Sequence, residues 1–239
     1  AYRFIIGTLR PFFMAMTKRK WSGMDNLPAA GGYVVCTNHY SHLDPLIFAH
    51  FMVDQGHSPR FLGKVEVFKV PVVGAILRGA DQIPVYRESG QAADAYRAAV
   101  AAVTSGKGVA IYPEGTLTRD PGLWPMRGKT GAARVALQTR CPVIPVANWG
   151  AQAILPPYTK FPKLFPRKTM HVRVGAPVDL TDLYTKPLNH DVLAVATERI
   201  MTAITHELEI IRGEQAPAVR WDPRRHHQPT TGNPTKEAS

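Results

Sequence analysis

Two histidines and an aspartate lie within six positions in the stretch TNHYSHLDP, residues 37–45. Imidazole and carboxylate groups this close together can bind a metal ion, can form a general base with its orienting acid, or can lie in an ordinary turn before a helix. Asp44 followed by Pro45 is typical of a helix start, and Ser41 could cap the helix instead. This structural interpretation leaves His39 and His42 without a purpose.

The spacing disfavours a metal site. Zinc hydrolases that bind through His-x-His-x-Asp-His need a further ligand at the position where this chain has Pro45. The later histidines, His171 and His190, have no partner at a zinc-like spacing, and zinc needs three or four converging ligands. We therefore predict no metal site here.

A catalytic dyad is the third interpretation. His39 and Asp44 are five residues apart, and on one continuous helix their side chains would diverge by roughly 140°. Across a turn that leads into a helix, the aspartate can instead reach back and accept a hydrogen bond from the imidazole. Such a bond fixes the tautomer and raises the basicity of the free nitrogen. No serine nucleophile is needed if the substrate supplies its own hydroxyl.

Short strands and helices alternate around this stretch. Apolar runs predict strands at 31–38, 60–68, 82–86, 108–115, 141–150 and 170–178, and helical patterns cover 44–56, 91–108, 128–140 and 189–213. We therefore predict an α/β fold with a mixed, largely parallel central sheet flanked by helices. TNHYSHLDP and YPEGTLTRD both follow a predicted strand, where active sites of such sheets gather.

Four sequence blocks in a fixed order carry a family resemblance. Asn38-His39, four residues and Asp44 resemble the His-x4-Asp motif of the glycerolipid acyltransferases, the 1-acyl-glycerol-3-phosphate acyltransferase family. Three blocks then follow in the family's order: GKVEVFKVPVVGAILRGADQIPVYR (63–87), YPEGTLTR (112–119) and VIPVA (143–147). A lone His-x4-Asp occurs by chance, whereas four ordered blocks make the resemblance specific.

The resemblance implies transfer of a fatty acyl group from acyl-CoA or acyl carrier protein to the free hydroxyl of 1-acyl-glycerol-3-phosphate, forming phosphatidate. His39 would accept the hydroxyl proton and Asp44 would orient it, with no cofactor beyond the thioester co-substrate. Two alternatives stay open. The acceptor could be another lysolipid, a glycolipid or glycerol-3-phosphate, or the chain could be a non-catalytic lipid-binding homologue.

The same resemblance implies the acceptor-binding residues, whose cations would bind phosphate and whose Glu-Gly-Thr block would contact the glycerol: Arg87, Lys64, Lys129, Arg119, Glu114, Gly115 and Thr116. One position departs from the family pattern. An arginine often follows Glu-Gly-Thr directly, and this chain has Leu117 there. Either Arg119 or Lys129 compensates, or the acceptor differs.

The positive charge is concentrated in two segments. The net charge is +11, of which residues 1–24 and 156–178 carry +5 each and contain no acidic residue. Bulky apolar residues are interspersed with the cations in both segments, a pattern typical of contact with anionic phospholipid at a membrane surface. No nucleic-acid-binding motif accompanies them, so we predict no nucleic-acid partner.

We predict three regions: an amphipathic, helical, membrane-associating segment at 1–24, an acyltransferase domain at 25–213 and a flexible tail at 214–239. No window of about 20 uninterrupted apolar residues predicts a transmembrane helix. The expected location is peripheral, on the cytoplasmic face of the cell membrane.

Overall fold

The computed structural model describes residues 10–11, 14–71, 73–85, 92–159 and 161–229. Arg87, residues 1–9 of the expected N-terminal segment and residues 230–239 of the expected tail lie outside these ranges, and so does the side chain of Lys64. Among the described helices, none combines the length and the apolar character needed to cross a bilayer.

The described strands form one seven-stranded sheet in the spatial order β1-β7-β6-β2-β5-β3-β4. Their bounds are β1 Thr17–Ser22, β2 Tyr33–Thr37, β3 Arg60–Lys64, β4 Ile83–Val85, β5 Gly108–Ile111, β6 Val143–Trp149 and β7 Lys168–Val174. Neighbouring strands are parallel except β6 and β7, which are antiparallel. The predicted α/β fold with a largely parallel sheet is confirmed.

Six of the described α-helices lie between these strands in the chain, and the seventh follows β7. The described α-helices are α1 Asp44–Asp54, α2 Val65–Lys69, α3 Val73–Gly79, α4 Ala92–Thr104, α5 Gly131–Thr139, α6 Ala151–Ile154 and α7 His190–Arg212. Asn189 caps α7 by accepting a hydrogen bond from the backbone amide of Val192, and Gly213 ends it in the left-handed conformation.

Both faces of the central strand β2 are buried, and its side chains alternate between two clusters. Val34 and Cys36 belong to a cluster with residues of α4, α5 and α7. Tyr33 and Val35 belong to a second cluster that includes Phe48 and other α1 residues. A parallel strand covered on both faces must be apolar at every position, which explains the continuous run YVVC. The core thus holds β2 and its carboxyl end in the centre of the sheet.

The N-terminal edge of the sheet differs from the prediction. Residues 17–22 were expected in an amphipathic helical segment, but they form β1, which pairs with β7. Two cations assigned to the membrane-facing segment, Arg10 and Arg19, bind Asp54 of α1 at 2.6 and 2.9 Å. Part of the predicted segment is therefore attached to the domain through a strand and ion pairs.

The strand predicted at 60–68 is also shorter than expected. It ends at Lys64, and α2 begins at the next residue. The helical turn brings the buried ring of Phe68 back over β3, so close to Gly63 that a Cβ atom there would lie 3.2 Å from the ring. Burial of Phe68 explains the early end of the strand.

The described part of the predicted flexible tail contacts the domain at residues 216 and 220–222. Arg220 binds Glu198 of α7 at 2.8 Å. The Trp221 carbonyl accepts a hydrogen bond from the backbone amide of Arg127, and Asp222 binds the Arg127 side chain at 3.0 Å. The segment following α7 therefore supports the loop after β5.

Candidate active site

Three neighbouring parallel strands bring two of the motif blocks to one edge of the sheet. β2 lies between β5 and β6, with Cys36 opposite both Ile111 and Pro145. Because β2, β5 and β6 are parallel, the segments that follow them all leave from the same edge, where α/β proteins bind ligands. TNHYSHLDP follows β2, and YPEGTLTR follows β5.

His39 and Asp44 are in hydrogen-bond contact across the turn before α1. The His39 Nδ1 and Asp44 Oδ2 atoms are 3.0 Å apart. The same carboxylate oxygen accepts from the backbone amides of Tyr40 at 2.7 Å and Ser41 at 2.8 Å. Asp44 is the first residue of α1, so its charge also lies at the positive end of the helix. The aspartate therefore fixes the turn and the imidazole at once.

The geometry sets the protonation pattern that a general base needs. A carboxylate only accepts hydrogen bonds, so His39 donates from Nδ1, which leaves the lone pair of Nε2 able to accept a proton. The Asp44 side chain is fully buried, whereas 16% of the His39 side chain is exposed. The pair thus combines a shielded carboxylate with a partly exposed imidazole.

Tyr112 forms one wall of the pair. Its ring centroid is 4.3 Å from that of His39, with the planes inclined by 35°. Burial raises the pKa of its phenol well above the usual range, and the Asp44 charge adds to that shift. Tyr112 therefore stays neutral and contributes a packed surface beside His39.

Glu114 connects the two motif loops through the backbone. One carboxylate oxygen accepts from the His39 amide at 2.9 Å and the other from the Met126 amide at 3.0 Å. The side chain is 1% exposed, and burial raises its pKa to about 8 although both hydrogen bonds act to lower it. The Thr118 amide completes the connection by donating to the His39 carbonyl at 2.6 Å.

Gly115 and Lys129 lie against each other beside this connection. Gly115 adopts a φ of +69°, and a Cβ atom on it would lie 2.9 Å from Lys129 Nζ. A side chain at this position would therefore strain the backbone and displace the lysine. Lys129 is exposed, and its backbone amide donates to the Pro113 carbonyl at 2.8 Å.

The remaining positions of this block differ in exposure. Thr116 and Arg119 are buried, and the Arg119 guanidinium is a hydrogen-bond partner of the Tyr158 hydroxyl. Leu117, which stands where the family often has arginine, is 2% exposed, and its carbonyl accepts from Tyr158 at 3.2 Å. An apolar core residue thus replaces a cation at this position.

Two of the expected phosphate ligands cannot be placed. Lys64 ends β3 opposite Val85 of β4, and only its backbone is described. Arg87 lies two residues beyond β4, outside the described residues. His42, which the sequence analysis left without a purpose, is exposed on the turn between His39 and Asp44.

A buried amide pair next to His39 was not predicted from the sequence. Asn38 donates to the Asn148 carbonyl at 3.0 Å and accepts from the Asn148 amide at 2.9 Å, and the Asn148 side chain donates to the Asn38 carbonyl at 2.9 Å. Both residues are 1% exposed. The only available signal was the polar Asn148 inside the apolar strand β6.

The chain is similar in sequence to known acyltransferases. A family model described as Acyltransferase matches residues 18–149. A chloroplastic 1-acyl-sn-glycerol-3-phosphate acyltransferase of Brassica napus is 30% identical over 151 residues, covering 62% of this chain and 41% of that protein. A 1-acyl-sn-glycerol-3-phosphate acyltransferase of Bacillus subtilis is 26% identical over 208 residues, covering 87% of this chain and 96% of that protein.

A solved structure shares the fold. The crystal structure of the 1-acyl-sn-glycerophosphate acyltransferase PlsC from Thermotoga maritima superposes with a TM-score of 0.68 at 21% identity, covering 90% of this chain and 81% of that one. The chain spans about two fifths of the length of the Brassica napus relative and of a similar one from Arabidopsis thaliana.

Fold and site together define an α/β protein whose sheet edge presents a histidine held by a buried aspartate. The chain belongs to the Acyltransferase family, whose model covers more than half of it. The resemblance drawn from the four ordered blocks is thereby confirmed.

Proposed function

We propose that this chain is a glycerolipid acyltransferase that transfers a fatty acyl group from a thioester to 1-acyl-glycerol-3-phosphate, forming phosphatidate. The observation that carries the proposal is the 3.0 Å contact between His39 Nδ1 and Asp44 Oδ2 in a chain of this family. Relatives named 1-acyl-sn-glycerol-3-phosphate acyltransferases support the choice of acceptor.

The proposed reaction uses His39 first as base and then as acid. Nε2 accepts the proton of the acceptor hydroxyl while its oxygen attacks the carbonyl carbon of the thioester. Collapse of the tetrahedral intermediate breaks the carbon–sulfur bond, and the thiolate takes the proton back from His39. One ester forms and one free thiol is released. Asp44 stabilises the transient imidazolium, and base catalysis of this kind contributes roughly 10²–10⁴-fold.

Cations near the dyad would bind the acceptor phosphate. Lys129 is exposed, and its side chain lies against Gly115. Gly115 directly follows Glu114, which accepts a hydrogen bond from the His39 amide. We assign Lys129 to the phosphate together with Arg87, Lys64 and Arg119. For Glu114, the use of both oxygens by backbone amides favours a positioning role over the hydroxyl contact expected from the sequence.

A lipid acceptor requires access to a membrane surface. We propose that residues in the 1–24 segment upstream of β1 hold the 25–213 domain at an anionic membrane, on the cytoplasmic face where acyl-CoA or acyl carrier protein is available. The apolar and basic composition of residues 1–16 supports this arrangement. Strand β1 and the ion pair between Arg19 and Asp54 would fix the segment's end to the domain.

A different acceptor is the second candidate, because Leu117 replaces a cation with a buried apolar residue. Purified protein should be assayed for thiol release and ester product with acyl-CoA and with acyl carrier protein thioester. The acceptors should be 1-acyl-glycerol-3-phosphate, glycerol-3-phosphate, a lysophospholipid with a larger headgroup and a glycolipid. Product formed chiefly with 1-acyl-glycerol-3-phosphate supports the proposal. Preference for another acceptor would establish the alternative, and transfer to none of them would indicate a non-catalytic lipid-binding homologue.

A further inference from the structure

The loop before β7 exposes two aromatic side chains. In the stretch FPKLFPRK, residues 161–168, the side chains of Phe161 and Phe165 are 84% and 79% exposed. Among the described residues, they are the most exposed large apolar side chains. Phenylalanine usually buries most of its surface, so two exposed rings four residues apart indicate a contact surface.

The loop itself is firmly attached to the domain. Leu164, between the two phenylalanines, packs on a buried cluster that contains Tyr40 and Ile47. The Lys163 amide donates to the carbonyl of Ile154 at 2.7 Å. The exposure of Phe161 and Phe165 is therefore a property of an anchored loop, because the residue between them is held against the motif turn.

Cations accompany the aromatic rings. Lys163 and Arg167 are exposed, and residues 156–178 contain no aspartate or glutamate. The Arg167 guanidinium also donates to the carbonyls of Met14 and Thr17, each at 2.8 Å. The loop is thus fastened to the residues that join the N-terminal segment to β1.

We infer that the 161–168 loop binds the surface of an anionic bilayer. Phe161 and Phe165 enter the headgroup region, and Lys163 and neighbouring cations bind lipid phosphates. The rings protrude from the domain, which suits insertion into a lipid interface. Because Leu164 contacts the cluster of Tyr40, the loop places the His39 turn beside the membrane. The inference rests on the proposed function for its purpose, but binding is measurable without turnover.

The experiment is flotation of the full chain with vesicles of phosphatidylcholine alone or with added phosphatidylglycerol. Replacing both rings (F161A with F165A) should weaken binding to anionic vesicles by about tenfold or more. Lys163→Glu should weaken binding to anionic vesicles and leave binding to phosphatidylcholine unchanged. The matched control replaces Val195 and Ile210, which are 45% and 46% exposed on α7, by alanine and should bind as the original chain does.

Turnover assays separate this inference from the proposed function. If the original chain transfers no acyl group but the double phenylalanine variant still loses vesicle binding, the proposed function fails and the inference stands. Unchanged vesicle binding of the double variant would overturn the inference, whatever the activity. Unchanged vesicle binding with a raised KM for acyl carrier protein thioester alone would overturn it too, and would identify the loop as a protein-docking surface.

Discussion

One oxygen of the Glu114 carboxyl group accepts a hydrogen bond from the backbone amide of His39, with an oxygen–nitrogen distance of 2.9 Å. Its other oxygen accepts from Met126 at 3.0 Å. One buried side chain therefore fixes the loop that carries the proposed base to the loop that follows β5. Since a displacement of about 1 Å can reduce a catalytic rate about 100-fold, we expect the loss of this contact to lower the rate.

Replacing Glu114 by alanine should lower kcat more than it changes KM. The change leaves the amides of His39 and Met126 buried without their acceptor, at a cost of about 1–3 kcal/mol each in unfolding free energy. Glu114→Gln keeps one acceptor oxygen and should give an intermediate loss. Steady-state kinetics and urea unfolding measure both effects. Glu214→Gln, at a 60% exposed surface ion pair, is the control and should change neither. Normal kcat in Glu114→Ala would contradict a positioning role.

The free energy of unfolding should decrease as the pH rises from about 4.5 to about 8, because Glu114 has a higher pKa in the folded chain than in the unfolded chain. Burial raises its folded-state pKa from 4.5 to about 8. Between these values the folded chain keeps a proton that the unfolded chain releases, so this group's contribution is complete below about pH 4.5 and is lost as the pH rises through about 8. Urea unfolding of the original chain and of Glu114→Gln tests this across the range. The variant should show a flatter pH dependence, and parallel curves would contradict the prediction.

Asn38 and Asn148 should be energetically coupled. They exchange hydrogen bonds in both directions, and both are buried. A double-mutant cycle of Asn38→Ala and Asn148→Ala should give a coupling energy of about 0.5–3 kcal/mol in urea unfolding. A cycle of Asn38→Ala with Asn189→Ala, which removes the α7 cap, is the control and should be additive. Additivity in the first cycle would show that the amide pair does not act as a unit.

Asp44→Asn should show how much the negative charge of Asp44 contributes to kcat, because the substitution removes the charge and nearly preserves the shape of the side chain. The amide has nearly the same volume and can still accept from the backbone of Tyr40 or Ser41, but it no longer stabilises a charged imidazolium. We expect kcat to fall by roughly 10²–10⁴-fold with little change in the KM for the acceptor. Asp191→Asn, where 93% of the side chain is exposed, is the control. A raised KM for the acceptor with an unchanged kcat would contradict this prediction and would assign Asp44 to substrate binding.

Local sequence signals predicted the central part of this molecule. The apolar run before residue 37 and the Asp-Pro pair after it specify a strand, a turn and a helix, and these bring His39 within reach of Asp44. Such features depend on neighbouring residues, so a single sequence reveals them. The blocks after β5 could be assigned to the same edge because parallel strands share an orientation.

Contacts between distant segments could not be predicted in this way. β1 pairs with β7 across about 150 positions, and its sequence TKRKWS shows a basic run rather than a strand pattern. Glu114 binds backbone amides, which every residue except proline carries, so no partner is visible in the sequence. Asn148 is meaningful only when β6 lies beside β2. Each of these depends on the three-dimensional neighbourhood.

The central claim is that His39 is the base for acyl transfer. The direct measurement is the rate of thiol release from acyl-CoA with 1-acyl-glycerol-3-phosphate for His39→Ala and for His42→Ala, with vesicle binding and thermal unfolding checked for both. We predict a loss in kcat of roughly 10²–10⁴-fold for His39→Ala. His42 is exposed on the same turn, and its replacement should leave the rate nearly unchanged. Wild-type transfer by His39→Ala would contradict the account.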